Sequence, residues 1–208
     1  RDQDSTRVIQ IGEYYNKSGY EYLERIYKAI REKMPIKVCY QKTAQETSWR
    51  IISPYIIKEY RNQWYLVGFS IDSSRGESSN VYALSKIISL QEAEKSKYKI
   101  DPNFSAENYF KFSLGVFHSL YSLPIQVKLK YFGSYWVQHW KNQKIHHTME
   151  VLEMKKDEIT ISITVYHTPE LESMILNYGV NVIVLEPIEL QEKVKSLIVK
   201  MAALYKNF

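Results

Sequence analysis

The stretch Gln63–Ser70, Gln-Trp-Tyr-Leu-Val-Gly-Phe-Ser, decides the fold of the first half of the chain. Tyr65, Val67 and Phe69 alternate with Trp64, Leu66 and Gly68, so both faces are apolar. The stretch therefore reads as a strand covered on two sides. Gly68 falls where a side chain is expected, which predicts a bulge or a close backbone approach in a strongly bent sheet. Arg61-Asn62 is a turn signal and Trp49–Ile57 upstream is rich in β-formers, so a hairpin across Lys58–Asn62 is expected.

Working outward from that strand, Ser18 and Glu21 have the spacing of a capping box. Leu23, Ile26, Tyr27 and Ile30 follow on one helical face, and Pro35 ends the helix because it cannot extend the hydrogen-bond ladder. Ile36, Val38 and Tyr40 alternate with Lys37 and Cys39, a half-buried strand. Gln41–Ser48 reads as a polar loop, and Pro54 makes its part of Trp49–Ile57 an edge or a bend. Ile71–Ser79 is a Ser/Gly/Asp loop, followed by short strands at Asn80–Leu84 and Lys86–Leu90. A helix followed by about five short, bent strands predicts a small SH3-like or Sm-like β-barrel over residues 18–92. Residues 1–17 form a polar N-terminal segment with a short strand at Val8–Ile11.

Residues 93–124 read as a linker or bridge. Glu92–Lys99 is charged, Asp101-Pro102-Asn103 is a turn, Ser105 caps a short helix, and Leu114–Leu123 is apolar but irregular. Residues 125–208 show clearer periodicity. Ile125, Val127, Leu129 and Tyr131 alternate with Gln126, Lys128 and Lys130. Ser134–Trp140 is a short helix with Trp136 and Trp140 on one face. Strands follow at Ile145–Leu152 and Ile159–Tyr166. Thr168-Pro169 starts a helix, Gly179 stops it, and Val180–Leu185 is a final strand. The order β-α-β-β-α-β predicts a ferredoxin-like domain. A closing helix from Pro187 to Tyr205 places Leu190, Val194, Leu197, Ile198 and Met201 inward. The whole is an α+β protein.

Hydrophobic residues make up 45% of the 208 and charged residues 25%, so each half has enough apolar material for a core. The single cysteine, Cys39, excludes an internal disulfide framework and a cysteine-built zinc site. No apolar run reaches a membrane span and no signal peptide opens the chain, which points to a cytoplasmic protein. The chain begins at Arg1 rather than Met, as expected of a piece of something longer. The net charge of +5 lies in residues 17–69, which hold 10 basic and 5 acidic groups. A local excess of this kind points to an anionic partner such as phosphate or nucleic acid, or to a solvated surface.

Catalytic signals are absent. Of the five histidines, His146 and His147 are adjacent and in a strand point to opposite faces. No Asp/Glu cluster or spaced pair accompanies His118, His139 or His167. Cys39 has no histidine nearby, and no glycine-rich phosphate loop occurs. No enzyme activity, catalytic residue, metal or cofactor is expected.

Trp64-Tyr65-Leu66 after Arg50 and Pro54, with Lys86-Ile87 further on, resembles the WYL domain. The tail Tyr178-Gly179-Val180, Val184-Leu185-Glu186-Pro187, Leu190 and Tyr205 resembles the C-terminal extension, of WCX type, that follows many WYL domains. The resemblance implies a bacterial transcriptional regulator, commonly dimeric. Its barrel senses nucleic acid or nucleotide-like ligands, and a separate helix-turn-helix, not visible in this sequence, reads duplex DNA. Arg50, Trp64, Tyr65 and Lys86 fall on the family pattern. Where many members carry Asp-Arg-Ile, this chain has Ser85-Lys86-Ile87, which removes a carboxylate and replaces a bidentate fork with a point charge. Asn80 stands where many members carry another arginine.

The binding chemistry this suggests is an Arg50 fork on a phosphate, with Lys86 and Lys37 adding point charges. Tyr40, Tyr65 or Tyr82 would offer a ring for a base to stack on, worth about 1–3 kcal/mol per base. Lys128 and Lys130 are the extension's anion contacts. The expected partners are single-stranded nucleic acid or a nucleotide, and a second copy of the chain. The competing reading of the residues is a protein–protein or dimerisation module without a small ligand, in which Arg50 pairs with a local acid such as Glu46 and the tyrosines are core.

Overall fold

A computed structural model describes residues 18–70, 78–117 and 123–207. The strand expected at Val8–Ile11, most of the Ile71–Ser79 loop, His118 and part of the Leu114–Leu123 bridge lie outside the described residues. The chain divides into two compact units, Arg1–Ala106 and Glu107–Phe208.

In the first unit, a 3-10 turn at Tyr20–Tyr22 leads into α1, Leu23–Glu32, which buries Ile26 and Ala29. The capping box does not form. Gly19 takes a left-handed conformation, and Ser18 Oγ turns away to donate to the Ser85 carbonyl at 3.4 Å. A Cβ on Gly19 would lie 2.3 Å from the Leu84 carbonyl carbon, so only glycine permits this approach. At the other end, Lys33 is left-handed and the Met34 amide reaches back to Ala29 O at 2.8 Å. The helix is thus closed before Pro35 acts.

Five strands follow: β1 Ile36–Thr43, β2 Glu46–Tyr60, β3 Gln63–Ser70, β4 Ser78–Ala83 and β5 Ile87–Glu92. They form one antiparallel sheet in the order β4-β3-β2-β1-β5. The expected polar loop at Gln41–Ser48 is instead a tight hairpin, because Gln41 and Thr47 continue the β1–β2 ladder. β2 is 15 residues long and serves two partners, β1 with its first half and β3 with its second. It bends at a register shift between Pro54 and Ile56, opposite Gly68. A Cβ on Gly68 would lie 2.4 Å from Ile52 Cγ2 and 2.8 Å from Ser53 O, so the glycine allows the close approach expected of it. Arg61 and Asn62 both have positive φ, at 50° and 59°, which makes the β2–β3 connection a two-residue turn whose twist matches the strands. β4 and β5, the sheet edges, are joined by a three-residue 3-10 turn, Leu84–Lys86.

The inner face of this sheet and α1 enclose Ile26, Ile36, Val38, Ile52, Leu66, Tyr82, Leu84, Ile87 and Leu90, with Trp64 packed against them. Full burial of a side chain such as Leu66 contributes about 1.5–3 kcal/mol. The β5 edge is blunted from α1's side: Tyr22 donates to Ile88 O at 2.8 Å and Arg25 to Leu90 O at 3.0 Å.

The second unit begins within a one-turn helix, α2, Ala106–Tyr109. Its elements are β6 Ile125–Phe132, α3 Ser134–Asn142, β7 Glu150–Met154, β8 Glu158–Val165, α4 Pro169–Asn177, β9 Val182–Glu186 and α5 Ile188–Leu204. The sheet is antiparallel in the order β7-β8-β6-β9. Val127, Leu129 and Tyr131 share a core with Ile159, Ile161, Ile163 and Val165 and with Leu171 and Ile175 of α4. β7 starts later than expected because Ile145–Thr148 is a turn: Thr148 Oγ1 bonds the backbone N–H and carbonyl of Thr164 and lies 2.8 Å from His146 Nδ1. His146 and His147 therefore do not splay as in a strand; their ring centroids are 4.1 Å apart.

Trp136 and Trp140 do share a face of α3 and stack at 6.2 Å. α5 departs from expectation. Leu190 and Val194 are buried, but Ile198 is 52% and Met201 47% exposed, so only the first half of the helix packs on this unit. Among the described residues no helix is long and apolar enough to cross a membrane.

Candidate anion site

Alternation along β2 puts Ser48, Arg50 and Ile52 on one face. The register sets Arg50 opposite Val38 and Ser48 opposite Tyr40, with Ile52 opposite Ile36. Since Ile36, Val38 and Ile52 are buried core residues, Arg50 projects from the inner face of the sheet, where the core ends. Its guanidinium carbon lies 5.6 Å from the centroid of the Tyr40 ring and 5.9 Å from that of Tyr82. Cation–π contacts in this range contribute about 0.5–2 kcal/mol, more as water is excluded. The two rings meet edge to face at 5.4 Å.

Arg50 Nε donates to Ser48 Oγ at 3.1 Å, which fixes the plane of the fork and leaves both terminal NH2 groups for another acceptor. No carboxylate among the described residues pairs with Arg50. Glu46 pairs with Lys42 instead, at 3.3 Å. Ser48 was not singled out from the sequence, although its spacing from Arg50 places both on one strand face.

Tyr40 spans the gap between β1 and β4, its hydroxyl accepting the Ala83 amide at 3.3 Å. Burial raises its phenol above the ordinary tyrosine range, the Ala83 bond pulls it down in part, and the neighbouring Tyr82 and Tyr65 add to the rise while Arg50 opposes it. Tyr82, opposite Leu66, is only 2% exposed, and its buried hydroxyl has no protein partner. Its ring offers no open face to a base. Tyr65 alternates to the other side of β3 from Leu66, and its hydroxyl donates to Gln63 Oε1 at 3.0 Å.

Lys37 is set apart. It alternates to the outer face of β1, away from Arg50, where its Nζ lies 5.0 Å from the Trp49 ring centroid. Lys86 is exposed at the end of the 3-10 turn, just before Ile87, which pairs with Tyr40. In the second unit, Lys128 pairs with Glu186 at 2.8 Å and Lys130 with Glu158 at 2.7 Å. Each lysine's charge is thus matched by a carboxylate. Lys130 in turn holds the Glu158 carboxyl below its usual range, chiefly by hydrogen bonding. Of the eight residues expected to contact a ligand, the structure gathers Arg50, Tyr40 and Tyr82 into one cluster.

Among the described residues no group of three or more histidine, cysteine, aspartate or glutamate side chains is placed to hold a metal ion.

Also absent from the sequence reading is a second set of contacts on the same strands. The β2 bend turns out Tyr55, whose hydroxyl donates to Lys99 O at 2.8 Å and accepts the Asp101 amide at 2.7 Å. Ser53 Oγ accepts the Lys99 amide at 2.8 Å, and Ser79 Oγ of β4 donates to Asp101 Oδ2 at 2.6 Å. The segment 98–104 is thereby strapped to β2 and β4, with Phe104 packed on the Tyr55 ring at 4.5 Å. No period in the sequence announces it, because the partners lie more than 20 residues apart.

The architecture so far is that of a two-unit α+β chain with an arginine–tyrosine cluster on the inner face of its first sheet. Comparison with known families makes the class specific. Residues 21–92 match the WYL domain and residues 121–202 the WCX domain, together most of the chain. The chain belongs to the WYL family and carries a C-terminal WCX domain.

Among solved structures, proteasome accessory factor B/C (PafBC) of Arthrobacter aurescens is similar at 21% identity, with 84% of this chain and 26% of that chain covered and a TM-score of 0.38. A CRISPR Cas-related protein is similar at 16% identity, with 91% of this chain and 53% of that chain covered and a TM-score of 0.53. This chain spans about a quarter and about half of those two structures. No curated protein matches the sequence.

Proposed function

We propose that these residues are the ligand-sensing part of a WYL-type bacterial transcriptional regulator, cytoplasmic and non-enzymatic. In this reading the first unit is an Sm-like barrel, its two edge strands joined through the Leu84–Lys86 turn. The second is a ferredoxin-like extension, which its element order and the strand order β7-β8-β6-β9 support. The barrel binds a nucleic acid or nucleotide-like anion at Arg50. Contact with duplex DNA belongs to a helix-turn-helix outside residues 18–207.

The observation that carries the reading is the half-buried Arg50 guanidinium without a carboxylate. Removing a charge from water without a counterion is costly, and a bound anion offsets that cost. A purely structural arginine on this face would be expected to have an acid beside it. The test is binding of short single-stranded DNA and RNA by the whole chain at low salt. Loss of binding in Arg50→Ala supports the reading, and equal binding by that variant counts against it.

A second reading, a dimerisation module, is favoured by the second half of α5. Ile198, Met201 and Leu204 are exposed there, and Tyr205 just beyond its end. Sedimentation that shows a tight dimer, indifferent to salt and to Arg50→Ala but lost in Met201→Glu, would favour it over ligand sensing.

A further inference from the structure

Resting on the sensing assignment above, we propose that the Arg50 site recognises a terminal phosphate monoester, on a free nucleotide or at a strand end, and not the internal phosphodiesters of a strand laid across the barrel. Three observations converge on this. The first is charge. Arg50 presents one fork, its Nε being committed to Ser48. A terminal monoester presents this fork with three unesterified oxygens and two negative charges, an internal diester with two oxygens and one charge.

The second observation is that the described residues form no track. A surface that follows a strand needs cations spaced along a groove and open rings for successive bases. Here Lys37 projects from the opposite face of β1 and lies over Trp49. Lys128 and Lys130 belong to the other unit and are held by Glu186 and Glu158. The Tyr82 ring is 2% exposed, and the Tyr40 ring is flanked by Tyr82 and Arg50. The rings shape the seat of the guanidinium and do not form a stacking platform.

The third is pre-orientation. Ser48 fixes Nε and the two rings restrain the guanidinium, so the fork loses little freedom when it binds. Such a site suits a single, well-defined anionic group.

The experiment measures binding of the whole chain to thymidine 5′-monophosphate, to a 5′-phosphorylated oligothymidylate and to the same oligomer without its phosphate, across a salt series. The expected result is that one or both phosphorylated probes bind, and that the unphosphorylated oligomer is at least about tenfold weaker. The slope of log K against log salt should be no steeper than about −1, as for one contact. Arg50→Ala should abolish binding, and Arg50→Lys should weaken it about tenfold. Which phosphorylated probe binds more tightly tells a free nucleotide from a strand end. If the unphosphorylated oligomer binds as tightly, with a slope of about −2 or steeper and with dependence on Arg50, the end-group proposal is overturned while the sensing assignment stands. If no probe binds, or if binding ignores Arg50→Ala, both fall.

Discussion

Tyr55 holds Asp101 to the body of the first unit: its hydroxyl accepts the Asp101 amide at 2.7 Å while donating to Lys99 O at 2.8 Å. One phenol thus satisfies a donor and an acceptor in a segment without regular structure, next to the boundary between the two compact units. Tyr55→Phe keeps the ring against Phe104 but removes both of these hydrogen bonds. The expected cost is about 0.5–1.5 kcal/mol per bond at most. Denaturant unfolding should show it, and the Asp101 amide should exchange with solvent faster in the variant. Unchanged exchange there would mean the strap does not depend on this hydroxyl.

Two glycines are predicted to resist replacement, for different reasons. Gly68→Ala places a Cβ against Ile52 Cγ2 and Ser53 O, an overpacking expected to cost about 1–3 kcal/mol. Gly19→Ala meets the Leu84 backbone and must also hold φ at 88°, so it should cost more. Equilibrium unfolding of both variants checks the order, and an equal or smaller cost for Gly19→Ala would refute it.

Tyr82 and Tyr131 each bury a hydroxyl that has no protein partner. Because no protein hydrogen bond is lost, Tyr82→Phe and Tyr131→Phe should leave stability unchanged or raise it by up to about 1 kcal/mol. Thermal unfolding measures this. A marked loss in either variant would show that the hydroxyl has a partner, such as an ordered water.

High pH should unfold the chain through its tyrosines. Burial raises Tyr40, Tyr98, Tyr131 and Tyr178, and raises Tyr55 to about 12, from an ordinary value of 10.0. The folded state therefore favours the neutral phenols. Their contribution to stability is complete below pH 10 and is lost as pH rises through the folded values. Absorbance near 295 nm should show a group of tyrosines ionising well above pH 10, together with unfolding. Titration of every tyrosine near 10 in the folded protein would contradict these shifts.

Within α5, depth of burial should set the cost of truncation. Leu190→Ala removes a fully buried side chain and is expected to cost about 2–5 kcal/mol. Ile198→Ala, at a position 52% exposed, should stay within about 0.5 kcal/mol for the monomer. Unfolding measured at several protein concentrations separates this from any effect on association.

Local chemistry alone determined much of this protein. Alternation in Gln63–Ser70 specified a strand, with Gly68 marking a bulge or close approach, Thr168-Pro169 specified a helix start, and Trp64-Tyr65-Leu66 with the Tyr178–Pro187 tail marked the family. These signals depend on neighbours a few residues apart, so a sequence carries them directly. Tertiary structure decided which charges remain available. Arg50 and Lys37 look alike in the chain, yet the β1–β2 register sends them to opposite faces of one sheet. Lys128 and Lys130 looked like anion contacts until strand pairing brought Glu186 and Glu158 to them. Tyr82 looked like a stacking surface until the bent sheet enclosed it. The strap on Tyr55 joins residues 44 and 46 positions apart. Each of these outcomes depends on which distant residue arrives opposite which, and only folding of the sheet brings those residues together.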